Sequence, residues 1–177
     1  MIASNKGLQA LCAGILCFVA SICAGQASAQ AWSQLAPTGG PPVARAAPSA
    51  VFNTTTDRMI VFGGEEFDSN HTVLNDVWVL AHADGGGGTP IWMQLNPTGT
   101  TPVRVGHSAV YDAANNRMIV FAGTVGSGAC TAASNDVWVL THADGTGGTP
   151  AWSQLSPTGG PPYPRYGQSV VYDPASN

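Results

Sequence analysis

"NDVWVL" occupies residues 75–80 and returns at 135–140, sixty positions later. Within it, Val77, Trp78, Val79 and Leu80 do not alternate apolar with polar, so a strand here needs cover on both faces. The flanking sequence repeats as well. Trp32, Trp92 and Trp152 open "WSQLAPTGG", "WMQLNPTGT" and "WSQLSPTGG", and Arg45, Arg104 and Arg165 precede "SAVF", "SAVY" and "SVVY". "DRMIVFGG" at 57–64 answers "NRMIVFAG" at 116–123, and "NDVWVLAHADG" at 75–85 answers "NDVWVLTHADG" at 135–145. A period of this length marks stacked structural units.

One unit holds four short segments rich in β-branched and aromatic residues, at 49–52, 59–62, 76–80 and 91–95. None is long enough for an ordinary helix. "NTTTD" and "DAANN" supply reversals, the Gly63-Gly64 pair lets the chain leave the second strand, and "ADGGGGTP" links the third to the fourth. The expected fold is all-β, in four-stranded antiparallel blades that cover one another's faces as in a β-propeller. Blades are expected over about 45–95 and 104–155, with a partial blade at 165–177 and a solitary outer strand at 32–35. Two whole blades leave the ring incomplete, so the sequence reads as the amino-terminal piece of a longer chain.

"RxGHSAVYD" from Arg104, "RMIVFxG" at 117–123, "NDVWVL" at 135–140 and "WSQL" at 152–155 resemble the kelch repeat, one blade of a β-propeller. The resemblance extends to the central propeller of galactose oxidase-type enzymes. It implies a binding module that recognises a protein or glycan through blade-top loops. Alternatives are the propeller portion of a secreted copper oxidase or carbohydrate-active enzyme, and a structural module of a surface protein. The oxidase alternative implies a tyrosine linked to a cysteine; Cys130 with Tyr111, Tyr163, Tyr166 and Tyr172 does not by itself supply one.

Residues 1–29 differ in character. Lys6 precedes an apolar run, and Ala27 and Ala29 stand at the small-residue spacing of a cleavage site, which reads as a secretory signal peptide cut after Ala29. The expected location is secreted, periplasmic or cell-surface, with no membrane attachment after cleavage. Cys12, Cys17 and Cys23 leave with that segment, and Cys130 remains. The net charge of -4 and the absence of any Lys/Arg run argue against a nucleic-acid partner.

Chain parity puts the loops at 65–75, 96–103 and 124–134 on one face. Glu65, Glu66, Asp68, His71 and Cys130 are the candidate ligand-binding residues there, because loops that differ between repeats carry function more often than the repeated scaffold. Their spacing fits no metal loop, so neither a metal nor a cofactor is expected. Trp32, Trp78, Trp92, Trp138, Trp152, Gly63, Gly64, His82 and His142 read as blade-building residues, the two histidines through a hydrogen bond to the next turn. Asp84 and Asp144 read as turn formers before glycine, and the repeated arginines are expected to pair with Asp112 and its counterparts. "NTT" at 53–55 and "NHT" at 70–72 match the N-glycosylation pattern. No catalytic residue is assigned.

Overall fold

In the computed structural model the described residues are 32–126 and 132–176. The proposed signal peptide and Cys130 lie outside them. Two compact units divide the chain at Ser33/Gln34. In the first, the exposed Trp32 and its neighbour Ser33 adopt no regular structure. No helix among the described residues is long and apolar enough to cross a membrane.

The second unit contains ten strands. Strands β2 (Ser49–Asn53), β3 (Arg58–Phe62), β5 (Val77–Ala81) and β6 (Ile91–Leu95) form the first blade, ordered along the chain. Strands β7 (Ser108–Asp112), β8 (Arg117–Thr124), β9 (Ala133–Thr141) and β10 (Ala151–Leu155) form the second in the same order. Every pairing inside the blades is antiparallel. A short ladder joins β1 (Arg45–Ala46) to β4 (Glu65–Glu66). This is the all-β architecture of four-stranded blades, with no closed ring among the described residues.

The two blades stack front to back. Ile60, Phe62, Val77 and Val79 of the first blade and Met118, Val120, Trp138 and Leu140 of the second share one buried core. Within each blade these residues are cross-strand partners: Ile60 faces Val79 and Phe62 faces Val77, while Met118 faces Leu140 and Val120 faces Trp138. Yet the repeat equivalents of Ile60 and Phe62 are Ile119 and Phe121, one residue out of step with Met118 and Val120. Because side chains alternate across a strand, equivalent blades therefore present opposite faces to each other. That geometry can be repeated indefinitely, as a propeller requires, and it explains why Val77–Leu80 is apolar on both sides. Phe62 lies at the centre, 4.8 Å from the Trp152 ring and 5.0 Å from the His107 ring.

Backbone contacts repeat with the blades. Thr38 exchanges hydrogen bonds with Pro90 and Trp92, and Thr98 with Pro150 and Trp152, all at 2.9 Å. The glycine after each threonine, Gly39 or Gly99, has φ near 87° or 86°, and a Cβ there would come within 2.3 Å or 2.6 Å of a tryptophan carbonyl oxygen. Only glycine fits such a turn without distortion. At the inner end, the Gly106 amide donates to the Ala47 carbonyl and the Gly167 amide to the Gly106 carbonyl.

Two segments lack the strands that their sequences suggest. Residues 32–35 and 168–173 match β6/β10 and β2/β7 in sequence but belong to no strand. A ladder needs continuous backbone pairing, and neither segment has it with a described strand; Gln168 meets the second blade instead through the Ser108 hydroxyl and the Phe121 carbonyl.

Candidate functional site

The loop from Gly64 to Asn75 folds back on itself as a small hairpin. Glu65 bridges Val73, the Glu66 amide donates to the Thr72 carbonyl at 2.9 Å, and Arg45 stands opposite Glu66 in the β1–β4 ladder. Asp68 organises the tip: its carboxylate accepts from the amides of Asn70 and Thr72 and from the Thr72 hydroxyl, at 3.0–3.2 Å. The Thr72 amide, reinforced by these other donors, holds the Asp68 carboxyl below the ordinary carboxylate range. His71 Nδ1 lies 2.6 Å from Glu65 Oε1. Glu65, Asp68 and His71 are thus engaged in shaping the hairpin. Among the described residues no His, Cys, Asp and Glu converge as a metal-binding group.

Two features of this face are not evident from the charge pattern. Phe67 stands at the tip, 77 % exposed, between Glu66 and Asp68. Below the hairpin, a cleft of about 220 Å³ is lined by Asn75, Asp76, Gln94, Asn96, Pro97 and Thr101, with Val77 and Leu95. Residue 75 and the 96–101 link meet there, as parity requires.

At the edge of the cleft, Asp76 is bound by Arg45 through two hydrogen bonds of 2.5 and 2.9 Å and by Trp78 Nε1 at 2.7 Å. Burial pushes its carboxyl up, but the Arg45 and Trp78 donors and the Arg45 charge prevail and hold it down. The second blade repeats the clamp: Arg104 pairs with Asp136, and Trp138 Nε1 donates to Asp136 at 2.7 Å. The arginines therefore pair with the aspartate of "NDVWVL", two residues before each tryptophan, and not with Asp112. Asp112 instead binds Arg117, with Oδ2 to NH2 at 2.5 Å, at the end of its own hairpin.

Between the blades lie two polar joints. At the first, Ser49 Oγ and His107 Nε2 are 2.7 Å apart and both residues are buried. Burial, assisted by the Arg104 charge, lowers the His107 pKa to about 4, so the ring is neutral at pH 7. Although the distance would suit a nucleophile and its base, Nδ1 has no partner, and in the next unit the equivalent serine, Ser108, donates to the backbone carbonyl of Gln168. This histidine is a fastener. Sequence alone offers Pro48, His107 and Gln168 as unrelated residues, because the joint involves the serine of the preceding unit.

At the second joint, the Asp144 carboxylate accepts from Asn53 at 3.0 Å, Thr56 at 3.0 Å, Asn116 at 2.6 Å and Thr146 at 2.8 Å. Arg58 donates to its carbonyl at 2.9 Å. Tyr111 joins this network through Asn53 and Asn116, and burial, then the Asp144 charge, raises its pKa to about 12. Asn53 is only 3 % exposed, with its amide nitrogen directed at Tyr111 and Asp144, whereas Asn70 is exposed at the hairpin tip.

The remaining blade residues occupy distinct surroundings. Trp138 and Trp152 are buried, while Trp78 and Trp92 are half-buried. Gly63 and Gly64 have positive φ, and added Cβ atoms would lie 2.6 Å from the Arg104 carbonyl and 2.7 Å from the Ala46 carbonyl. His82 and His142 share left-handed backbones at φ 54° and 49°, and their rings sit against Gly88 and Gly148. Neither ring hydrogen-bonds to its turn; His82 instead lies 3.9 Å from Asp57.

A comparison with known families matches residues 19–175 to the KLHDC2/KLHL20/DRC7 Kelch-repeats domain. The chain belongs to the kelch-repeat family. The arginine clamps, paired glycines and polar joints are accordingly the construction of kelch blades, the kind of module that in general binds proteins or glycans.

Proposed function

We propose that this chain is an exported kelch-repeat binding module that recognises a protein or glycan through the face carrying the 65–75 hairpin and the 96–103 link. The observation that carries this reading is Phe67, an aromatic ring held in solvent at the tip of a hairpin whose own hydrogen bonds fix its shape. A rigidly presented, exposed aromatic supplies contact area at small entropic cost and serves as an anchor in recognition. The opposite face is made of turns that close the blades, and its most elaborate residues are consumed by the Asp144 joint. Export rests on the character of residues 1–29.

The test exchanges residues 65–74 for 124–134 in the full chain and compares the two proteins on a glycan array and against surface and secreted proteins of the source. Loss of a bound partner on exchange, with unchanged thermal stability, is expected. A partner retained at full strength by the exchanged protein would place recognition elsewhere.

A further inference from the structure

The two copies of "NDVWVL" begin with asparagines in unlike states. Asn135 donates its side-chain amide to the Pro162 carbonyl at 2.9 Å, which ties the link after the second blade to the start of β9. Asn75, its equivalent, makes no side-chain hydrogen bond, and neither do Gln94 and Asn96 across the cleft. Thr101 and Pro97 complete the rim, and the half-buried Leu95 adds apolar surface, while Val77 at the cleft floor is itself fully buried. Asp76 contributes no free charge, since its two oxygens are taken by Arg45 and Trp78.

We infer that this cleft is a binding subsite for a neutral sugar ring. The inference rests on the proposed use of this face and specifies what one part of it takes. Each carboxamide offers both a donor and an acceptor, the pairing that a hydroxyl group uses, and three of them stand uncommitted around one small hollow. No unpaired charge lines it, which disfavours an ionic ligand because a desolvated ion needs a counter-charge. Apolar Leu95 and Pro97, both half-buried, suit the carbon-bound hydrogens of a pyranose. The volume is below the roughly 300–1,000 Å³ of sites for drug-sized ligands and suits a single ring at the end or side of a chain.

The test titrates the full chain with a panel of methyl hexopyranosides and neutral oligosaccharides, read by saturation-transfer NMR and isothermal calorimetry. Asn75→Ala and Asn96→Ala, both at exposed positions, are compared with Asn135→Ala, at a half-buried one. At least one sugar is expected to bind, with affinity falling about tenfold in each cleft variant as a ligand hydrogen bond is lost. Asn135→Ala should leave it unchanged. The inference is overturned if no sugar binds, if cleft variants bind like the wild type, or if only short uncharged peptides compete for the cleft. Loss of a partner on hairpin exchange, in a protein that binds no sugar, would overturn the sugar subsite while leaving the proposed use of the face intact.

Discussion

The first and second blades contain nearly the same residues in the same order, but identical residues perform different work in the two. Asp84 and Asp144 show this most clearly. Both accept from an amide two residues on, Gly86 at 2.6 Å and Thr146 at 2.9 Å, so the local turn is the same. Asp84 remains exposed, whereas Asp144 is 1 % exposed and gathers Asn53 and Thr56 from the first blade. The residue and its turn are local; burial and bonding come from the neighbouring blade. A repeat protein thus assigns one residue two roles through the stacking of its units.

The largest contrast is expected in the core. Phe62 is completely buried against Trp152 and His107, while its equivalent Phe121 is only half-buried. Phe62→Ala should destabilise by about 4 kcal/mol and Phe121→Ala by about half as much, measured by urea unfolding. Equal losses would show that the stacking asymmetry has no energetic weight. Asp144→Ala comes next at about 3 kcal/mol, because it leaves the buried Asn53 amide and the half-buried Asn116 and Thr146 donors without their acceptor. Asp84→Ala should cost about 0.5 kcal/mol or less.

The serine–histidine joint provides a pH test. An unfolded histidine takes up a proton near pH 6.5, while folded His107 resists until about pH 4. Protons therefore favour the unfolded chain between these values: the contribution is present in full above about pH 6.5 and is lost as pH falls toward 4. From pH 7 to pH 5 the loss is about 2 kcal/mol. His107→Gln, which copies Gln168, should flatten this part of the stability profile. A profile of unchanged slope would mean that His107 is readily protonated in the folded protein. The smallest contrast is Asn135→Ala, expected to cost about 0.5 kcal/mol through the bond to Pro162, against no measurable change for Asn75→Ala.

The repeat made the blade order, the strands and their two-sided burial legible in the sequence, because each follows from local pattern and period. The first-blade strands begin or end within one residue of the sequence reading. The β1–β4 ladder and the exposure of Phe67 were not legible, since hydropathy places an isolated phenylalanine inside. The partners of Arg45 and Arg104 were hidden for a related reason: a charged pair 31 or 32 residues apart has no periodic signature, and Asp112 looked equally available. Glu65, Asp68 and His71 attracted attention as ligands by their chemistry, yet a hairpin this short uses polar side chains to satisfy its own backbone. The free state of Asn75 could not be read from a segment identical to that containing Asn135; only the differing links, at 96–101 and 156–162, separate them.

The most direct test of the binding face is amide hydrogen–deuterium exchange of the full chain, alone and saturated with a ligand obtained from the array or the loop-exchange comparison. Slowed exchange across residues 65–76 and 94–101 on binding, with residues 53–58 and 82–90 unchanged, is the predicted result. Protection confined to 53–58 and 82–90, on the side of the Asp144 joint, would contradict the account.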